Sequence, residues 1–401
     1  MPVSLPVKEH QNTTTSFNVD VFATSVFMVL SVYKFDFVPT AIMQGARCAA
    51  IAMLLLLHFK AIGVFPHKVA LFAFPIAIVI SSLCAGCSYQ NIVFASVQGL
   101  NIISLFISCY DMARKYGLFK LFDSFFWLMF MFSFANDLTV FTTHYNNSSS
   151  QYLMGNKFTV GDIHTLLLGL YAALLSVRRG YLRYNWGIYV ALVVESAIVL
   201  VKASAMTSLL CLLLSVVLTL FIANAVACKL SEGLVITIVI VAMNVIYFGT
   251  GMLLNVPAVQ FFIQDVLGRS LTMTGRTPIY NCLEFLINEK PMFGWGYGNT
   301  AVMALVGYGN AQNGIAELMV NYGAFGVLAF FATVIGLFPS KKKFRSHNPR
   351  LVAIIYGTIL ASLVEISFSL VFFLALSLIF VGCVFPLRDD TNIVELDEAI
   401  G

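Results

Sequence analysis

Two arginines seven residues apart, Arg269 and Arg276, lie in the stretch GRSLTMTGRTPIYN, residues 268 to 281, between long apolar segments. A guanidinium binds phosphate through planar, bidentate hydrogen bonds. On one continuous helix the two would share a face. Gly268, Gly275 and Pro278 argue instead for a turn that enters a helix near Thr277 or Pro278. A helix beginning there would add amide donors and a favourable dipole, and the hydroxyls of Thr272, Thr274 and Thr277 would complete a phosphate cradle. The plain alternative is a pair of solvated loop arginines against lipid headgroups.

Two further stretches follow. NEKPMFGWGYGNT, residues 288 to 300, interleaves glycines with Trp295 and Tyr297, which suits packing against a sugar ring or a membrane interface. AQNGIAELMVNYGAFGVLAFF, residues 311 to 331, places Gln312, Asn313 and Glu317 at the start of a helix in which Gly323 and Gly326 would admit a close helix neighbour.

These residues need elements to hold them, and the composition says what kind. Of 401 residues 59% are hydrophobic and 10% charged, against about 25% charged in an ordinary soluble domain. Mean hydropathy is +0.88. Apolar runs long enough to cross a bilayer recur along the chain, and the pattern lacks the short alternating segments of a membrane β-barrel. The expected fold is therefore an all-α polytopic membrane protein of about twelve spans: 20–38, 40–59, 69–87, 90–109, 121–141, 162–177, 184–201, 204–224, 234–254, 313–338, 351–366 and 368–386. On this reading residues 1–19 are a polar tail, 20–254 hold nine spans, 255–312 form a long outer loop with the arginine motif, 313–386 hold three spans and 387–401 end the chain. The polar start has no signal-peptide core, so the first apolar run is expected to be a retained helix.

With a cytoplasmic N-terminus, sixteen of the 23 basic residues fall on the inner side, every inner loop included. Both long loops, 142–161 and 255–312, then lie outside. Pro278 to Ile287 looks amphipathic, so the second loop is expected to be ordered. Ionisable groups within spans are costly and usually face a bundle interior or a water-filled cavity. Asp36, Arg47, Asp137, Glu195, Lys202, Glu317 and Glu365 all fall near outer ends, which an aqueous cavity open to that face would explain. The eight cysteines are scattered, mostly in apolar runs, and predict packing rather than a disulfide framework. No basic run with interleaved aromatics points to nucleic acid.

In this order the motifs resemble the O-antigen polymerase and ligase superfamily, the Wzy-type enzymes that build bacterial surface polysaccharide. The resemblance rests on the TGRT segment, the P-x-x-G-x-G-like PMFGWG, and a polar pair opening a helix that carries G-x-x-G. VKASAMTSLL, residues 201 to 210, is similar to the family's K-S-x-T-like turn and brings in Lys202. The resemblance implies inverting glycosyl transfer with no metal or other cofactor, at the outer face of the bacterial cytoplasmic (inner) membrane, with both termini cytoplasmic. The donor it implies is a polyprenyl-diphosphate-linked oligosaccharide. Its implied partners are membrane lipids, a chain-length regulator and a flippase.

On that resemblance Arg276 leads as the diphosphate ligand, followed by Arg269, with Lys202 and Thr277 beside them. Arg47, Glu195, Trp295, Tyr297 and His164 are expected in the substrate cavity. The family commonly has His-Asn where this chain has Gln312 and Asn313, and glutamine is no base near neutral pH. Glu317, Glu195 or His164 could take the acceptor proton, or a diphosphate leaving group could dispense with a strong base. Two rivals stand beside a polymerase: an O-antigen ligase, with lipid A-core as acceptor, and a lipid-linked oligosaccharide flippase or other transporter.

Overall fold

The computed structural model describes residues 18–142, 151–176, 185–249, 277–339 and 348–386. Arg269 and Arg276 lie outside the described residues, as do both tails. The described residues are all-α apart from one two-stranded hairpin. In chain order the elements are α1 (Val19–Val32), α2 (Thr40–His58), α3 (Ala61–Val64), α4 (Lys68–Cys84), α5 (Tyr89–Tyr116), α6 (Leu118–Thr142), β1 (Gln151–Tyr152), β2 (Gly155–Asn156) and α7 (Lys157–Ser176). Then come α8 (Trp186–Lys202), α9 (Met206–Phe221), α10 (Asn224–Leu230), α11 (Gly233–Gly249), α12 (Thr277–Glu289), α13 (Ala301–Val306), α14 (Gly314–Leu337), α15 (Val352–Ser362) and α16 (Leu370–Val384).

Each of the twelve expected apolar stretches carries a helix. Five of them, α2, α5, α6, α7 and α14, are long and apolar enough to cross a membrane, and α10 with α11, bent by 75° between them, makes a sixth if counted as one span. The chain thus has the character of a multi-pass membrane protein. Helices α1, α15 and α16 are only 14, 11 and 15 residues long. At 1.5 Å per residue they reach about 16 to 23 Å, short of a hydrocarbon core of roughly 30 Å. The polar or irregular segments Lys34–Pro39 and Leu363–Ser369 end them early.

Helix α5 forms the centre: from Asn101 to Ala113 every residue is buried. It packs on α2, α4, α6 and α16, while α4 packs along α14 and α7 joins α6, α8 and α9. Phenylalanines weld α4, α14 and α16 together. Phe330 meets Phe74, Phe368, Phe372 and Phe373 at ring-centroid distances of 5.5, 5.0, 6.1 and 6.2 Å, within the range where aromatic pairs add to simple burial.

Helix α14 is two helices meeting at Gly323, whose backbone (φ 63°, ψ −167°) no helix contains. The break frees amides and carbonyls that must find partners in an apolar bundle. The PMFGWG loop supplies them. Ala324 and Phe325 donate their amides to the carbonyls of Pro291 and Met292 at 2.8 and 3.0 Å. Trp295 and Gly296 donate theirs to the carbonyls of Val320 and Asn321 at 2.8 and 2.7 Å. The Ser81 hydroxyl donates to the carbonyl of Tyr322 at 3.0 Å. The close neighbour expected at Gly323 is therefore loop backbone and not a helix: a Cβ there would lie 2.4 Å from the carbonyl of Met292.

Gly323→Ala should lower the melting temperature of the purified protein by several degrees. It combines a backbone region essentially confined to glycine, costing about 1–3 kcal/mol, with overlap typically costing about 1–3 kcal/mol. Gly45→Ala, in an α2 helix interior with nothing within 4 Å of the new Cβ, should leave it unchanged or raise it slightly. Thermal unfolding in detergent measures both, and equal melting temperatures would refute the stitched break.

Candidate functional site

Several polar groups lie at the end of the bundle where α1, α6 and α8 finish and α2, α7 and α14 begin. The hairpin β1–β2 is fastened there. Leu153 accepts from the Asp36 amide at 3.2 Å, and Met154 donates to the Asn136 side chain at 2.9 Å. Between hairpin, α1, α2 and α5 lies a cavity of about 380 Å³ bordered by Tyr33, Lys34, Asp36, Arg47, Gln98 and Asn156. A second, of about 140 Å³, lies beyond Arg47 and Gln98 and reaches Gln44, Asn101 and Tyr297. Arg47 and Gln98 border both cavities, which together are termed the vestibule. Its size falls within the range usual for small-ligand sites.

Arg47 is the hinge of this space. Its Nη2 donates to the carbonyl of Val32 at 3.2 Å, holding the guanidinium at the end of α1. Lys34 pairs with Asp36 at 3.2 Å. Tyr297 arrives from the glycine-rich loop, whose amide at this residue donates to the Ser82 hydroxyl at 3.0 Å. Burial pushes the Tyr297 hydroxyl up from its ordinary range, and the Arg47 charge opposes the rise. Gln44 with Arg47, and Gln98 with Asn101, are spaced i, i+3, so each helix turns one polar face to the vestibule.

His164 and Glu195 come together in a second cluster, joined by Asp137 and Ser196. The buried imidazole places Nε2 3.2 Å from Asp137 Oδ1 and Nδ1 2.9 Å from the Ser196 hydroxyl. Glu195 Oε2 lies 3.8 Å from the same Nδ1, and its side chain is 44% exposed. The chain Asp137, His164, Glu195 can pass a proton from a buried carboxylate to an accessible one. Asp137, His164 and Glu195 each offer a donor atom within 4.8 Å of the others, a spacing that could also hold a cation. Both ring nitrogens already have protein partners, so such a cation would displace one of them.

Gln312, Asn313 and Glu317 form a third group, at the start of α14. Asn313 is fully buried and caps the helix: Oδ1 accepts from the Ala316 amide at 2.8 Å, while Nδ2 donates to Asn244 Oδ1 and the Leu363 carbonyl at 2.8 and 3.1 Å. Glu317 accepts from the Ala311 amide at 2.8 Å and from Asn321 Nδ2 at 2.9 Å. Asn321 accepts in turn from Asn299 at 2.6 Å. Gln312 adopts a left-handed backbone (φ 48°), and its carbonyl accepts from the Tyr280 hydroxyl at 3.4 Å. These three residues shape the loop. Neither Asn313 nor Glu317 borders the vestibule.

Trp295 is turned inward, its indole Nε1 donating to the Leu286 carbonyl at 3.1 Å and its ring covered by Lys290 Nζ at 4.3 Å. Lys202 is exposed at the last residue of α8. Helix α12 does begin at Thr277, with Ile279, Leu283 and Leu286 buried against Ala311, Ala316 and Val320. Tyr33, Gln44, Gln98 and Asn101 were not among the residues expected at a site. The signal available was polar amides at i, i+3 spacing within apolar runs.

At the opposite end the structure adds a buried group that the pattern of outer charges did not suggest. His58 Nδ1 lies 2.7 Å from Asp111 Oδ2, Lys115 Nζ donates to the same oxygen at 2.6 Å, and Thr24 Oγ1 lies 3.2 Å from His58 Nε2. Along α2 this is about 16 Å from Arg47. The chain matches no protein-family model and no curated protein.

Glu317→Gln leaves one oxygen for two donors, so either the Ala311 amide or the Asn321 side chain loses its acceptor. A buried donor left unpaired costs about 1–3 kcal/mol. Thermal unfolding should show a clear fall in melting temperature for Glu317→Gln and little change for Glu195→Gln, whose carboxylate is half exposed. Equal effects would mean that Glu317 does not hold the loop.

Proposed function

We propose that the chain is a Wzy-type polysaccharide polymerase with twelve spans in the bacterial inner membrane, both termini in the cytoplasm and the vestibule opening outward. The observation that carries this reading is convergence. The polar vestibule, the Asp137–His164–Glu195 chain and the starts of α12 and α14 lie toward one end of the bundle.

In this reading an acceptor sugar hydroxyl beside Glu195 attacks the anomeric carbon of a polyprenyl-diphosphate-linked oligosaccharide from the face opposite the diphosphate. The new glycosidic bond forms as the bond to the diphosphate oxygen breaks, and that oxygen leaves with the electron pair. Arg276, aided by Arg269 and the amides opening α12 at Thr277, stabilises the departing charge. Glu195, linked through His164 to Asp137, receives the hydroxyl proton in place of a histidine at Gln312. Residues Asn313 and Glu317 keep the catalytic loop in register.

A second reading has its own support. Discontinuous helices recur at the substrate sites of transporters, and α14 is broken at Gly323. A flippase for lipid-linked oligosaccharide would use that break.

A deletion strain complemented with wild type or Arg276→Ala at matched membrane levels separates the readings by the length distribution of its surface glycan. The polymerase predicts that Arg276→Ala cuts high-mass polymer by about a hundredfold, the usual scale for losing one charge-stabilising contact, while single capped units persist. Loss of single capped units as well favours the ligase. Lipid-linked units trapped on the cytoplasmic face favour the flippase. An unchanged ladder removes Arg276 from the reaction.

A further inference from the structure

Asp137, His164 and Glu195 come from three helices, α6, α7 and α8, and meet as two carboxylates against one imidazole. Asp137 and His164 are 5% and 2% exposed. The Glu195 carboxyl lies 3.8 Å from His164 Nδ1 and within hydrogen-bonding reach of Asp137. Among the described residues no lysine or arginine pairs with either carboxylate. Adjacent carboxylates resist ionising together unless something positive stands between them, and one imidazolium leaves this group a positive charge short. A divalent cation balances both carboxylates and lets the imidazole stay neutral, the form in which histidine binds metal.

The surroundings orient the three side chains as ligands. The Ser196 hydroxyl lies 2.9 Å from His164 Nδ1, and an Nδ1–H donating to it leaves the lone pair of Nε2 facing Asp137. The Ser133 hydroxyl donates to Asp137 Oδ2 at 3.4 Å, which leaves Oδ1 on the imidazole side. Outer contacts of this kind hold the ligands of metal sites. Donor atoms on one tetrahedral ion, bound at about 2.0–2.2 Å, lie roughly 3.3–3.6 Å from one another. Asp137 Oδ1 and His164 Nε2 are already 3.2 Å apart, and one donor atom from each of the three residues lies within 4.8 Å of the others. Glu195, whose side chain is 44% exposed, has to swing by only roughly 1 Å to close the set. Its exposure also provides the way in from solvent.

We infer that Asp137, His164 and Glu195 form a site for one divalent transition-metal ion, Zn²⁺ or Mn²⁺, with water completing the coordination. One nitrogen and two carboxylates suit these ions better than Mg²⁺, which prefers oxygen alone. The ion replaces the hydrogen bond between Nε2 and Asp137, and the proton displaced there leaves to solvent past Glu195. It is not a cofactor of the glycosyl transfer proposed above. It takes up the carboxylate which that reading makes the proton acceptor, so a bound ion arrests transfer, a consequence that rests on that reading while the binding itself does not.

Purified full-length protein in nanodiscs, stripped with EDTA, tests the site by titration calorimetry with Zn²⁺, Mn²⁺ and Mg²⁺ and by the absorption spectrum of bound Co²⁺. The expected result is one Zn²⁺ or Mn²⁺ per chain, bound more tightly than Mg²⁺, and a Co²⁺ spectrum without the near-ultraviolet band of cysteine ligation. Ser196→Ala should weaken binding about tenfold, the scale for losing an outer contact, and Glu195→Gln should weaken it further. Glu289→Gln, on the exposed side of α12, should leave it unchanged. Should variants of the buried Asp137 or His164 fail to fold, Glu195→Gln, at a half-exposed position, still decides. No bound ion, equal affinity for Mg²⁺, a thiolate band, or binding that Glu195→Gln leaves unchanged overturns the inference. The polymerase reading fails separately, by an unchanged glycan ladder in Arg276→Ala, and that result would leave the metal site standing.

Discussion

A helix that breaks inside an apolar bundle must hand its freed backbone groups to new partners, and the rest of this structure depends on how α14 does so. In hydrocarbon each unpaired amide or carbonyl costs several kcal/mol. The carbonyls of Val320, Asn321 and Tyr322 and the amides of Ala324 and Phe325 are all taken up by the 291–296 loop and Ser81. This obliges the loop to lie flat on α14, which in turn sets where Tyr297 emerges and therefore where the vestibule ends. Gly296 is required by the same geometry: its φ of 80° and a Cβ position 2.1 Å from Cys87 Sγ admit no side chain.

The stitched break also explains why the functional groups are divided among three clusters. Gln312, Asn313 and Glu317 lie in the segment that must be held for the loop to reach the break. Their polar atoms are consequently spent on the Ala311, Ala316 and Leu363 backbone and on Asn244 and Asn321. The vestibule has the opposite economy. Its neighbours are helices whose backbone is already satisfied, so the side chains of Gln44, Arg47 and Gln98 are left to line the cavities.

Much of the architecture was legible in the sequence because hydropathy alone marks a helix in a membrane protein. The start of α12 at Thr277 was legible from Gly275 and Pro278, and the vestibule's Arg47 from the cost of a charge in an apolar run. Less legible was what single residues do. Gly323 looked like a helix-packing glycine, since G-x-x-G spacing reads the same whether a helix neighbour or a loop backbone comes close. Trp295 looked suited to a sugar ring or a membrane interface because nothing local shows that its indole reaches back to Leu286. Tyr33, just past α1, and Asn101, in α5, are far apart in sequence, and each comes to line a cavity only once the helices pack. The His58–Asp111–Lys115 group escaped for the same reason, 53 residues separating its histidine from its aspartate.

The His58 group and the vestibule, near opposite ends of α2, differ in how far their polar atoms are satisfied. His58, Asp111, Lys115 and Thr24 satisfy one another, and polar groups that are mutually paired fix register without leaving anything to bind. It locks α1, α2 and α5 together at one end. The same three helices part at the other end around Arg47, where the pairing is incomplete. A bundle pinned by polar contacts at one end and left polar but unpaired at the other has a built-in polarity. The vestibule end is also where the chain places the glycine-rich loop, through Tyr297.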